Sequence, residues 1–325
     1  MRDIIYRARI DMEKKFYAGI DIGGTSIKCG IVDSDGNILV KGSVPTGAAD
    51  CAVIAGDIAE LVSRLERQAG VKAEGAGIGA PGIIDSKNGV IVYSPNIVWK
   101  DVPICAEVGK RLGVPVKIAN DANAAALGEK MAGSGKNYDD VLFLTIGTGI
   151  GGGIIIDGKL FEGFRSAGAE IGHQVIRQGG EKCSCGRDGC FEAYASATAL
   201  IRQTKRAMQN DRDSALWKIC PDLDSVNGKT VFDGVKAGDK TAMSVLDAYT
   251  GYLAEGIANL VNILRPEAVL IGGGVSAAGE ALLNPVREKL GKIVFGGMEY
   301  APVKTELATL GNDAGLIGSA FLVMD

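Results

Sequence analysis

The only histidine of the chain, His173, and three of its seven cysteines, Cys183, Cys185 and Cys190, crowd into the stretch "GHQVIRQGGEKCSCGRDGC". Thiolate sulfur and neutral imidazole are the donors zinc prefers, and four of them close a tetrahedral structural site. A disulfide between Cys183 and Cys185 would strain so short a loop. The glycines of "GRDG" let the chain curl back to Cys190. All four positions can be filled, so a structural Zn2+ is expected here, not a catalytic one. Glu170 and Glu192 flank the cluster, and a metal that pins this loop also fixes where those carboxylates point. An imidazole tied to zinc cannot serve as the base of a Ser-His or Cys-His pair, which removes hydrolase triads.

A second chemistry is written in glycine. "DIGGTSIK" (21–28), "TIGTGIGGG" (145–153) and "IGGGVS" (271–276) each follow an apolar, strand-like run. A turn without side chains lets consecutive N–H groups converge on phosphate oxygens, and threonine hydroxyls add donors. Three such turns favour a nucleotide. The dinucleotide pattern G-x-G-x-x-G occurs at "GIGAPG" (77–82) and "GTGIGG" (147–152), but neither runs into a helical pattern. The one P-loop candidate, "GKT" at 228–230, has Leu223 where its first glycine belongs. A nucleotide is therefore expected between the two hairpin turns.

The elements that must hold these groups come as a repeated design. Residues 16–44 read strand, glycine turn, strand, hairpin at "DSDGN", strand; residues 141–163 read the same, with the hairpin at "DGK". Such a pair predicts duplicated halves facing each other across a cleft. Between and after them, 51–70, 120–133, 241–264 and 312–324 carry helical spacing or caps, and 115–119 and 267–272 read as strands. Strands alternating with helices predict an α/β architecture. The division expected is an extension at 1–15, a small α/β domain at 16–122 joined by a terminal helix at 312–325, and a large α/β domain at 123–311 holding the zinc loop 173–190.

Bulk numbers agree. The 325 residues suffice for two domains, and 47 glycines without a periodic repeat point to tight turns and close ligand approaches. A net charge of −4 argues against a nucleic-acid surface. No run is long enough for a signal peptide or a membrane span, so a cytoplasmic protein with reduced thiols is expected. Cys29, Cys51, Cys105 and Cys220 stand alone and read as small hydrophobes.

Taken in order, "GIDIGGTSIK", "GAPGIID", "ANDANAAALGE", "TIGTGIGGGIIIDGKL", "GAEIGH" and "CSCGRDGCFEAYAS" resemble the repressor/open-reading-frame/kinase (ROK) sugar kinases, among them the ATP-dependent glucokinases of bacteria. The resemblance covers about residues 16–325. It implies the actin-like ATPase fold, two RNase-H-like domains that clamp nucleotide and sugar, and phosphorylation of a hexose, glucose above all, at its 6-hydroxyl. Asp21, Gly23, Gly24, Thr25 and Lys28 would form the first phosphate loop, with Asp21 facing Mg2+. Gly147, Thr148 and Gly149 would form the second, and Gly273 and Gly274 would lie near the adenosine of ATP. Gly82, Asn120, Asp121, Glu170, His173 and Glu192 would meet the sugar hydroxyls, with Asp121 as catalytic base. His173 would present one ring nitrogen to zinc and the other to the sugar. Homodimers or homotetramers are common among such kinases.

On its own, Asp121 reads as a helix cap whose charged form the helix dipole favours. Two departures stand out: Ala169 in "GAEIGH" where many ROK kinases have a second glycine, and the extension at 1–15. An N-acylhexosamine kinase is the alternative on the same scaffold. A sugar-responsive ROK repressor is a further one, although a helix-turn-helix needs more chain than 1–15 supplies.

Overall fold

The computed structural model describes residues 14–47, 50–94, 97–300 and 302–324. The expected extension falls almost wholly outside them. Two five-stranded sheets form the frame. The first runs β3-β2-β1-β4-β8, from β1 (Phe16–Ile22), β2 (Ser26–Asp33), β3 (Ile38–Pro45), β4 (Ala76–Ala80) and β8 (Val116–Asn120). The second runs β11-β10-β9-β12-β13, from β9 (Val141–Ile146), β10 (Ile150–Ile156), β11 (Lys159–Phe161), β12 (Ala268–Gly272) and β13 (Lys304–Leu307). Each has an antiparallel three-stranded meander followed by two parallel strands. The repeat expected from the paired glycine turns is thus a repeat of topology.

A small antiparallel sheet of β5 (Ile83–Asp85), β6 (Val90–Ser94) and β7 (Trp99–Val102) attaches to the first unit, where Ile84, Ile91 and Trp99 enter its core. These short strands gave no alternation long enough to be read from sequence.

Helix α1 (Cys51–Ala69) starts at Asp50, whose carboxylate takes the N–H groups of Ala52 and Val53, and stops at Gly70 in the left-handed conformation. Helix α2 (Ile104–Leu112) follows the small sheet. Helix α3 (Asp121–Ala132) links the two units, packing on β10 and on the terminal helix. The second unit adds α4 (Ala197–Asn210), α5 (Thr230–Lys236), α6 (Lys240–Leu264) and α7 (Glu280–Ile293). Pro285 lies inside α7; the helix forgoes one backbone bond there and buries Leu282, Leu283, Val286 and Leu290.

The last helix, α8 (Ala314–Phe321), returns to the first sheet, against β1 and β4. It meets α3 backbone to backbone, since a Cβ added at Gly318 would fall on the carbonyl of Ala124. Glu129 fastens the same junction. Fully buried on α3, its carboxylate accepts the N–H groups of Ser134, Thr309 and Leu310 at 2.7–3.1 Å.

Candidate active site and metal centre

Helix α3 begins where β8 ends, and its first turn carries the central pair. Asn120 is the cap: its Oδ1 accepts from the N–H of Ala122 at 2.9 Å and of Asn123 at 3.4 Å, while its Nδ2 donates to the Gly82 carbonyl at 3.3 Å. That contact ties the turn after β4 to the helix start. Gly82 has φ 107°, and an added Cβ there would collide with the Tyr93 carbonyl, so no side chain fits.

With Asn120 as cap, Asp121 is left exposed, its side chain accepting the Ala122 N–H at 2.8 Å. Neighbouring groups nevertheless crowd the carboxylate enough to desolvate it. That desolvation raises its pKa; the Ala122 N–H pulls the other way, and the Asp21 and Glu170 carboxylates push it up further. The dipole argument alone predicts the opposite sign. Tertiary neighbours outweigh it.

Asp21 lies on β1 with the Lys28 ammonium of β2 at 3.5 Å. Between those strands, the turn at Gly23, Gly24 and Thr25 is closed by Gly23 N–H to the Ser26 carbonyl at 3.0 Å. Thr46, which spacing along the chain could not flag, braces this turn. Its hydroxyl donates to the Gly23 carbonyl at 2.6 Å and its N–H to the Thr25 carbonyl at 3.0 Å.

In the second turn, Gly147 N–H closes on the Gly149 carbonyl at 3.0 Å, and the Thr148 carbonyl accepts from the Thr198 hydroxyl at 2.8 Å. Gly273, with φ 84°, follows β12 so tightly that a Cβ would meet the Ile146 backbone beside this turn. Gly274 is exposed next to it. Both phosphate-loop candidates therefore stand at the ends of equivalent hairpins.

Glu192 joins this side to the cysteine loop. Its Oε2 accepts the Ile150 N–H at 3.0 Å, directly after Gly149, and its Oε1 accepts the Ser184 hydroxyl at 3.2 Å. Ser184 is another contributor that spacing alone did not single out.

Ligand atoms of His173, Cys183, Cys185 and Cys190 all lie within 4.8 Å of one another. His173 Nδ1 is 3.7 Å from Cys183 Sγ, and Cys185 Sγ is 3.6 Å from Cys190 Sγ. With metal–ligand bonds of about 2.0–2.3 Å, the edges of a zinc tetrahedron are roughly 3.5–3.8 Å, so the donor set and its spacing fit that ion. Protons are shared unequally in the cluster. Burial pushes the Cys190 thiol up to about 12, while the Arg187 N–H leads the groups that bring Cys185 down. The remaining cysteines match their expected role in part: Cys29, Cys105 and Cys220 are buried, and Cys51 is half-buried.

Comparison with known proteins agrees with this geometry. The ROK family matches residues 17–325. A glucokinase from Thermotoga maritima is 39% identical, covering 97% of this chain and 99% of that one. A glucokinase from Halalkalibacterium halodurans is 40% identical, with 96% of each chain covered. Among solved structures, a ROK family glucokinase from Streptomyces griseus in complex with glucose and AMPPNP superposes with a TM-score of 0.79 at 38% identity, over 94% of this chain and 98% of that one. The fold is that of the actin-like ATPases, and the chain belongs to the ROK family.

Proposed function

We propose that this protein transfers the γ-phosphoryl group of ATP to the 6-hydroxyl of glucose, yielding glucose 6-phosphate and ADP. One observation carries the reading: Asp121 starts α3 within electrostatic reach of both Asp21, on the first phosphate turn, and Glu170, beside the metal loop. A carboxylate at that junction can accept a hydroxyl proton from a sugar while the two turns hold the nucleotide. Its raised pKa makes it a better proton acceptor than an ordinary aspartate.

The other residues bind and orient. Gly82, Asn120, Glu170, His173 and Glu192 supply donors and acceptors for the sugar hydroxyls, a lining that discriminates against analogues lacking a hydroxyl. The turns at Gly23–Thr25 and Gly147–Gly149 offer N–H groups to phosphate oxygens, with Gly273 and Gly274 beside the adenosine. Magnesium, when bound with ATP, neutralises charge on the transferring group, and Asp21 is the carboxylate suited to hold its water. Zinc, when bound by His173, Cys183, Cys185 and Cys190, stiffens the loop that aims Glu170 and Glu192.

The division at about residue 122, with α8 returned to the first unit, is supported by the two sheets of like order. A cytoplasmic setting belongs to the same reading, and the net charge of −4 speaks against a nucleic-acid partner; among the described residues no helix is long and apolar enough to cross a membrane. A homodimer or homotetramer is the assembly proposed from the family.

A coupled assay over glucose, mannose, fructose, N-acetylglucosamine and N-acetylmannosamine tests the reading. Glucose is expected to give the highest kcat/KM; a higher value for an acylated sugar would make this an N-acylhexosamine kinase instead.

A further inference from the structure

We propose that a second ligand site, for a multiply charged phosphate-bearing anion, lies on the outer side of the metal-loop hairpin. A cavity of about 640 Å³ opens there between residues 177–182, α4 and α6, and none of its lining residues belongs to the catalytic cleft described above. Its volume is that of a small-molecule site.

Charge sets the class of ligand. Arg177, Lys182, Arg202 and Arg206 line the cavity against one carboxylate, Glu181. Glu181 is held by Arg206, through Nη1 and through Nη2 at 3.3 Å, and lies 3.7 Å from Arg202 Nε. That leaves three positive charges uncompensated in a chain whose net charge is −4. Arg202 Nε is buried with no hydrogen-bond acceptor, the Glu181 oxygen being too distant to serve. A buried donor in this state is normally met by a ligand or an ordered water. Arg177 reaches only the Tyr252 hydroxyl, at 3.5 Å, and neither Arg177 nor Lys182 has an ion-pair partner among the described residues. Planar guanidinium forks with a lysine beside them match phosphate oxygens in both geometry and charge.

The wall of this cavity is also the back of the metal loop. Glu181 and Gly189 bond across the hairpin at 2.8 Å, Cys183 N–H donates to the Arg187 carbonyl at 2.9 Å, and the Tyr194 hydroxyl accepts the Glu181 N–H at 2.7 Å. An anion bridging Arg177 and Lys182 to Arg202 and Arg206 braces that hairpin against α4, and so steadies Glu192 and His173. The consequence for the sugar, a lower glucose KM, rests on the kinase reading; the binding does not.

Calorimetric titration of the full-length protein with inorganic pyrophosphate, in ADP sufficient to fill the cleft, tests the site. One pyrophosphate per chain is expected, bound at least tenfold more weakly by Arg177→Gln/Lys182→Gln, a variant whose glucose turnover without pyrophosphate matches the wild type. Displacement by glucose 6-phosphate would identify a hexose phosphate as the source of the group, and failure to displace would identify inorganic phosphates; either upholds the site. Absence of binding, or binding that the double variant leaves unchanged, overturns it. So does a wild type that binds no pyrophosphate while the variant alters the sedimentation coefficient, which would give the surface to a second copy of the chain. Pyrophosphate binding in a protein without glucose turnover would keep the site and remove the kinase reading.

Discussion

As the proposed base, Asp121 would owe its suitability to a division of labour with the residue before it. Asn120 takes the capping bonds, so Asp121 is left open to the cleft with two carboxylates in range. A base works only when deprotonated, so a raised pKa means that kcat/KM climbs with pH through a value above the usual aspartate figure of about 3.9. A pH profile with its acid limb at or below that figure would contradict the assignment. Asp121→Asn is expected to lower kcat by about 10²–10⁴-fold and to shift glucose affinity by less than about tenfold, because a general base acts on the barrier more than on the bound ground state. Steady-state kinetics beside glucose calorimetry separates the two effects. For Cys185→Ser, loss of bound zinc together with a higher glucose KM is expected; metal analysis showing loss of zinc with KM unchanged would mean the loop is held by other contacts. At this scale the gathering of His173, Cys183, Cys185 and Cys190 was legible, because the four lie close along the chain. The pKa of Asp121 was not, because Asp21 and Glu170 approach it only through the fold.

Between elements, the decisive contacts are made by atoms that are missing. Helices α3 and α8 approach until backbones touch, with Gly318 set on the Ala124 carbonyl. Gly318→Ala is expected to destabilise the protein by about 1–3 kcal/mol, since the helices must part to admit a methyl group. Chemical denaturation checks this, and an unchanged midpoint would show that the junction yields without cost. The hairpins, α1, α3 and α6 were readable because caps, periodicity and glycine turns agree locally. Helix α7 was hidden by Pro285, and β5–β7 by their shortness. Thr46, Ser184 and Thr198 were invisible for another reason. Thr46 and Thr198 brace turns far from them in sequence, and Ser184 reaches Glu192 by a side-chain contact, so no local pattern marks any of the three.

Two sheets of identical strand order, joined through α3 and α8, give the whole molecule its logic. Each contributes a glycine hairpin turn, the pair proposed to hold the phosphates. The second also carries the loop of His173 and the three cysteines, and Glu192 just beyond it touches the backbone after Gly149. In the proposed reading, sugar and nucleotide meet on opposite sides of one aspartate, where water would otherwise compete for the γ-phosphoryl group. The repeat was foreseeable from the paired glycine turns; the way the metal loop reaches back to the second turn was not. The most direct measurement is a crystal structure of the protein with glucose and a non-hydrolysable ATP analogue. The account predicts the glucose 6-hydroxyl within hydrogen-bond distance of the Asp121 carboxylate, with the γ-phosphate of the analogue on its far side. Glucose bound elsewhere, or with another hydroxyl facing Asp121, would contradict it.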